Sequence, residues 1–464
     1  MATLSGRQPT FVPSPGGDRP ARDGDKGVRA AKRVVADLFG DPLQRRFNVR
    51  YWDGTEELSA DAAFTFAIER AGALRRMLLP PTELSLVEAY LYGDIDVTGD
   101  IEAAASLGDI AIRRIGSVAG IARVLRHVLA LPSDEPPSAR SEARVARRLR
   151  RFGRRHSARR DARAVRFHYD VGNEFYALWL DRQMVYSCAY FAPGESDLDA
   201  AQAAKLDLVC RKLRLGEGER FLDIGCGWGA LVIHAARQYG VHATGITLSE
   251  QQAAYARARV AREGLEGRVT IQIRDYRTLG EMAKAESYDK IASVGMVEHV
   301  GEEKLDAYFA AVHRALMPGG LFLNHGIVRV AVANEHPVRD AVGSVLWQRN
   351  QFIRRYVFPD GRIIPASVVL ASAERGGFEV RDVESLREHY ASTLRHWVRG
   401  LEHNEARARA LVGDVTYRVW RLYMAAAAYG FRTARIGVIQ SLLAKPDSGG
   451  AVWVPRTRHD LYRD

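Results

Sequence analysis

Cysteine is nearly missing from this chain: three residues, Cys188, Cys210 and Cys226, among 464. An odd number without metal-ligand spacing argues against a disulfide framework and against a zinc site, so no metal is expected. A reducing, cytoplasmic compartment suits such cysteine usage. No stretch reaches the roughly 20 apolar residues that span a bilayer. The segment Met1 to Val28 is rich in Gly, Pro, Arg and Asp, and it lacks the apolar core of a secretory signal. Residues 1–32 therefore read as a disordered tail. Internal repeats are absent too.

What is present is the composition of a globular protein, 47% hydrophobic and 27% charged, over a length that suits two or three domains. The net charge of +11 resembles a nucleic-acid signature until it is mapped. Between Arg140 and Arg166 stand twelve arginines and two acids, Glu142 and Asp161, which leaves the remainder nearly neutral. Such a stripe suits an anionic membrane surface, at about 1 kcal/mol per basic residue. Its plainer role is that of a solvated linker.

Residues 33–131 read as a small α+β unit. Phe47 to Trp52 alternates like a strand, Asp53-Gly54 supplies a turn, and Phe64 to Ile68 is a strand or a helix start. Leu84 to Leu91 is a helical run, and Gly93 to Val97 is acidic and turn-rich. Ser117 to Leu131 is an amphipathic helix, suited to packing on its own domain or to a membrane surface. Residues 132–165 form a Pro- and Arg-rich linker. From 166 to 464 strands and helices alternate: 221–224, 241–246, 269–273, 290–294 and 321–325 as strands, 230–239, 249–263 and 304–316 as helices. Ser249 is placed to cap its helix. The order implies an α/β fold with a doubly wound, mostly parallel, Rossmann-like sheet and ligands at the strand C-termini.

The first of these strands ends in Asp223-Ile224-Gly225-Cys226-Gly227-Trp228-Gly229. Gly225, Gly227 and Gly229 let the backbone approach a ligand where a Cβ would collide. The spacing differs from the Gly-x-Gly-x-x-Gly of dinucleotide sites. It resembles motif I of class I S-adenosylmethionine-dependent methyltransferases, in which a carboxylate such as Asp223 holds the cofactor's α-amino group. At the second strand tip, Thr247 and Leu248 bring no acid, and Gln252 stands in for the ribose hydroxyls. Asp275 and Tyr276 fall where the adenine lies in that class.

Six segments then carry a closer likeness: 168–173 (HYDVGN), 186–190 (YSCAY), the glycine loop, 295–301 (GMVEHVG), 356–361 (YVFPDG) and 389–394 (HYASTL). Together they resemble the cyclopropane-fatty-acyl-phospholipid synthases, which are related to the mycolic-acid cyclopropane synthases, over about residues 166–445. The resemblance implies methyl transfer from S-adenosylmethionine to the cis double bond of an acyl chain through a carbocation. It also implies a bound bicarbonate as base, held by Cys188, Glu298, His325, the backbone around Ile327, and Tyr390. Tyr186, Ser187, Val294 and Gly295 align with cofactor contacts, and His168 and Tyr169 with a lid. Taken singly, Cys188 and His325 read equally well as core residues, whereas Glu298 is costly to bury without a role. One departure stands out: Ala427 occupies a position where some relatives carry a cysteine.

Residues 88–96 resemble the small sterol-carrier-like domain that precedes many phospholipid-acting members, so membrane phospholipid with unsaturated acyl chains is the expected substrate. The enzyme is then cytoplasmic and peripherally membrane-associated, and a homodimer is compatible with this reading. A fatty-acyl methyltransferase giving methylene or methyl-branched chains is the main alternative. A nucleic-acid methyltransferase would show an Asn-Pro-Pro-Tyr-like or Pro-Cys motif, and neither occurs. No nucleic-acid partner is expected. A non-catalytic lipid binder would show a damaged glycine loop or lack Glu298; both are intact.

Overall fold

The computed structural model describes residues 22–115, 117–134, 171–279, 287–330, 351–358 and 361–462. The arginine stripe 140–166 and the expected lid residues His168 and Tyr169 lie outside them.

The front unit is a four-stranded sheet in the order β2-β1-β3-β4, comprising β1 (Phe47–Arg50), β2 (Glu56–Glu57), β3 (Phe64–Ile68) and β4 (Ile95–Gly99). Two expectations change here. The supposed tail contributes to a helix, Arg22–Phe39. Its Val28, Ala31, Val34, Val35 and Leu38 are buried, a 3–4 residue stripe that defines one helix face. The charged, glycine-containing composition of the segment conceals that stripe. The acidic Gly93–Val97 stretch is largely strand β4, paired antiparallel with β3. Its Asp94 is fully buried and accepts hydrogen bonds from Arg76 at 2.5 and 3.1 Å, so the carboxylate that read as turn chemistry is an internal ion pair.

The large unit carries an eight-stranded sheet whose main order is β11-β12-β9-β8-β5-β6-β7. Its strands are β5 (Arg220–Ile224), β6 (His242–Thr247), β7 (Val269–Ile273), β8 (Tyr288–Val294), β9 (Leu316–Arg329), β10 (Ile364–Pro365), β11 (Glu379–Ser385) and β12 (Ile436–Ala444). Strands β5 to β9 run parallel; β12 pairs antiparallel with both β9 and β11. The chain order reverses at β5, between β6 and β8, and that switch point is where open α/β sheets bind ligands.

The two units share one apolar core. Buried Phe64, Tyr90 and Val124 of the front unit belong to the same cluster as Trp179, Trp397 and Trp420 of the large one. Around its edge, acids of the front unit meet arginines of the large unit. Glu102 accepts from Arg395 at 2.6 Å and from Arg432 at 2.7 Å, and Asp96 pairs with Arg418 at 3.1 Å. Arg421 donates to the Tyr90 hydroxyl at 3.0 Å and to the Val97 carbonyl at 3.1 Å. Burial of these groups is tolerated because each charge meets an opposite charge or a directed hydrogen bond.

Candidate active site

A cavity opens at the C-terminal ends of β5, β6 and β8. Of the residues expected to bind the cofactor, Tyr186, Ser187, Asp223, Gly225, Gly227, Thr247, Leu248, Gln252, Tyr276, Val294 and Gly295 line it. Two do not. Gly229 caps the Ala230–Tyr239 helix with φ +85°, and a Cβ there would lie 3.1 Å from Ala256 Cβ; it permits helix packing. Asp275 is held by the Arg277 guanidinium at 2.7–3.0 Å and caps the Tyr276–Thr278 turn. Its carboxylate is committed to that turn rather than placed in the cavity wall.

At the floor of the cavity, Asp223 is 3% exposed, and its Oδ1 has no hydrogen-bond partner among the described residues. Burial raises its pKa to about 7 against the pull of the Lys205 charge. An unsatisfied buried carboxylate at this spot is suited to an ammonium group. Gly225 and Gly227 take φ +85° and +54° beside it, conformations that a side chain would strain. At the second strand tip the Thr247 hydroxyl donates to Gln252 Oε1 at 3.1 Å, which fixes that amide and leaves its NH2 end as a donor. These features fit S-adenosylmethionine. Sequence reading passed over Lys205, a buried cation whose Nζ donates to Ser187 Oγ at 2.7 Å in the same wall. Its signal was weak, because a lysine in an amphipathic helix usually faces solvent.

None of the five residues expected to hold bicarbonate lines that cavity; hydrogen bonds and strand pairing link them to one another, in part through the backbone of Leu386 and Val438. Glu298 sits on the short Val297–His299 turn after β8, and its Oε1 accepts from the Ile327 amide at 2.7 Å. The Ile327 amide, expected to hold the anion, is thereby engaged by Glu298. Glu298 Oε2 is buried without a partner among the described residues, and burial raises the carboxyl pKa to about 7. His325 and Ile327 share one face of β9. His325 is 2% exposed; its Nδ1 lies 3.1 Å from Gln440 Nε2, and its Nε2 is buried without a partner among the described residues. Cys188 reaches the Leu386 carbonyl at 3.6 Å, and the Tyr390 amide donates to the same carbonyl at 3.0 Å. The Leu386 amide in turn donates to Val438, the β12 partner of Ile327. Burial raises the Cys188 thiol pKa far above its ordinary value, which keeps the group protonated.

Against this group stands an aromatic wall. Tyr176, Trp179, Tyr186, Trp397 and Trp420 interlock, with ring centroids 5.2 Å apart for Tyr186–Trp397 and 5.5 Å for Trp179–Trp397. Trp228 of the glycine loop donates from Nε1 to Asn173 Oδ1 at 2.8 Å, tying the 171–176 segment over the cofactor loop. Only Tyr186 and Trp228 were legible beforehand; the others are scattered from 176 to 420 and meet through folding alone. Ala427 is only partly buried against this core.

A family model described as mycolic acid cyclopropane synthetase matches residues 156–441, and one for a domain of unknown function matches residues 34–107. A probable fatty acid methyltransferase of Pseudomonas putida is 40% identical over 422 residues, covering 91% of this chain and 97% of its own length. Cyclopropane mycolic acid synthase 1 of Mycobacterium tuberculosis is 36% identical over 60% of this chain and 94% of its own. The crystal structure of a mycolic acid cyclopropane synthase complexed with SAH and CTAB superposes with a TM-score of 0.57 at 34% identity, covering 61% of this chain and 98% of that one.

Proposed function

Because this chain belongs to the mycolic acid cyclopropane synthetase family, lipid-acting S-adenosylmethionine-dependent methyltransferases, we propose that it methylates the cis double bond of an unsaturated phospholipid acyl chain and closes a cyclopropane ring. The observation that carries this reading is the pair of buried polar atoms, Glu298 Oε2 and His325 Nε2, that have no partner among the described residues, next to an aromatic wall. Two such atoms in an apolar setting are costly unless a small polar ligand satisfies both.

S-adenosylmethionine supplies the methyl group as a sulfonium electrophile, and bicarbonate, when bound, supplies a base. Asp223 receives the cofactor's α-amino group, and Lys205 with Ser187 is placed for its carboxylate. Glu298 and His325 hold the bicarbonate oxygens, Cys188 and Tyr390 close its other side, and Ile327 keeps Glu298 in place. The tryptophans and tyrosines exclude water and offer π faces to positive charge. On the lipid, one alkene carbon gains the methyl group and the other becomes cationic. Loss of a proton from the new methyl group lets its C–H electrons close the ring.

A second reading is favoured by the Pseudomonas putida relative, which matches across both units. There the same cation undergoes a 1,2-hydride shift before the methyl group loses its proton, leaving a methylene. Labelled S-adenosylmethionine with vesicles of oleoyl phospholipid, followed by NMR of the released fatty acid, separates the two endings. Cyclopropane resonances from the transferred carbon support the first reading and exocyclic =CH2 resonances, distinct from those of the starting alkene, the second; label-free lipid would refute both.

Membrane phospholipid as substrate also suits the arginine stripe 140–166 as a contact to anionic headgroups. No helix among the described residues is long and apolar enough to cross a membrane, so association at the surface is the form proposed. Vesicle binding that survives deletion of 140–166 would overturn the role of the stripe.

A further inference from the structure

A buried relay leads from the protein surface to His325. Gln440 lies directly opposite His325 across the β9–β12 ladder, and both are within 2% of full burial. Gln440 Oε1 accepts from Lys212 Nζ at 2.7 Å, and Lys212 is ion-paired at its other side with Glu384. An ammonium group only donates hydrogen bonds, so it selects the oxygen end of the amide. The NH2 end of Gln440 must then face His325, 3.1 Å from Nδ1. An amide NH2 also only donates, so Nδ1 has to present its lone pair. The single proton of the neutral ring therefore resides on Nε2, the atom with no partner among the described residues. Burial, reinforced by the charges of Lys205 and Lys212, lowers the His325 pKa to about 3 and keeps the ring neutral.

We propose that Lys212 and Gln440 are positioning residues that lock His325 as the Nε2–H tautomer, making it a fixed hydrogen-bond donor to an oxyanion beside Glu298. The inference rests on the bicarbonate reading above and extends it in one respect. A histidine so locked cannot accept a proton at Nε2, so His325 orients the anion and is not itself the base. The geometry also gives Lys212 a role at a distance: besides its direct charge effect on the ring, it fixes the direction of the Gln440 amide.

The test is a long-range proton–nitrogen NMR correlation on protein labelled with 15N-histidine, at neutral pH and without added bicarbonate. Wild type is expected to show His325 protonated at Nε2 alone. In Gln440→Glu, a carboxylate accepts from Lys212 and offers an acceptor to Nδ1, so the tautomer is expected to invert or the ring to become charged. The apparent KM for bicarbonate, measured in carbon-dioxide-depleted buffer, should rise roughly tenfold or more, as loss of one charge-assisted hydrogen bond implies. The Kd for S-adenosylmethionine should stay within about twofold, since the relay lies outside the cofactor wall. Lys212→Arg should keep the tautomer and Lys212→Met should mix it, which provides a second readout if Gln440→Glu fails to fold. An Nδ1–H or doubly protonated His325 in wild type would overturn the proposal, as would an unchanged tautomer in Gln440→Glu. Inversion of the tautomer with unaltered bicarbonate dependence would refute the donor role and the anion reading together, while leaving the amide relay intact.

Discussion

Glu298 and Ile327 form the hinge of the site: a 2.7 Å hydrogen bond from the Ile327 amide to one carboxylate oxygen leaves the other oxygen buried and without a partner among the described residues. A carboxylate held in this way has a single free acceptor, aimed by the β9 backbone. Glu298→Gln keeps the shape and removes the charge. Methyl transfer to vesicle lipid should fall by about 10²–10⁴-fold, the range of a lost acid–base or anion-holding group. Binding of S-adenosylmethionine, followed by calorimetry, should be nearly unchanged. Equal losses in both measurements would show that Glu298 supports the cofactor pocket instead.

Gly326, between His325 and Ile327, makes the same hinge depend on volume. A Cβ there would lie 2.2 Å from Val297 Cγ1, and a β-branched side chain has little rotameric freedom to withdraw. Gly326→Ala should push the Val297–His299 turn away from β9 and stretch the Glu298–Ile327 bond. A loss of activity of more than tenfold, with a stability cost of about 1–3 kcal/mol in a denaturant melt, is expected. Wild-type turnover in that variant would mean that the turn is not held by this contact.

Asp223 sets a pH signature for the ligand-free protein. Burial raises its folded pKa to about 7, above the ordinary value of an unfolded chain near 4. Between those values the folded state binds the proton and the unfolded state does not, so this group's contribution to stability declines as pH rises through that window. Asp223→Asn should remove the decline and raise the Tm of the apoprotein at pH 8 relative to wild type. The same variant should lose at least about tenfold in cofactor affinity. In wild type, S-adenosylhomocysteine should protect most strongly at the high end of the window. A pH-independent difference between the two apoproteins would contradict the assignment.

Glu102 tests the union of the two units. Burial alone would raise its pKa, but hydrogen bonds and charges from Arg395 and Arg432 outweigh burial and hold it below the usual range. A depressed carboxylate contributes stability above its unfolded pKa and loses it as pH falls through the folded one. Glu102→Gln should cost about 1–3 kcal/mol near neutrality and less below about pH 4, read as the difference in denaturation midpoints. Because the partners belong to helices that carry Trp397 and Trp420, lipid turnover should fall along with stability.

Much of the fold could be read from local pattern. The glycine loop, the alternation of strands and helices after residue 220, and the Ser249 cap are properties of short segments, and Ser249 does accept from the Gln252 amide. Short-range composition was misleading where a segment's role depends on distant partners. The charged run before residue 33 conceals a helix face because its apolar residues are sparse and matter only when packed. Asp94 read as a turn residue because Arg76, which neutralises it, stands 18 positions away.

By itself the sequence determined the class of chemistry: a glycine-rich strand tip with a carboxylate, Glu298 just after one strand and His325 on the next, and motifs that place the chain in a lipid-modifying family. Tertiary structure decided which atoms of those residues are free to act. That the Ile327 amide serves Glu298 and that Lys212 reaches His325 through Gln440 both follow from strand register and helix placement. A hydrogen-bonding group can serve few partners, and its choice depends on distances of a few ångströms between segments far apart in the chain. Residue identity limits what Glu298 and His325 can do; the register of β9 against β8 and β12 selects the single oxygen and the single nitrogen left to do it.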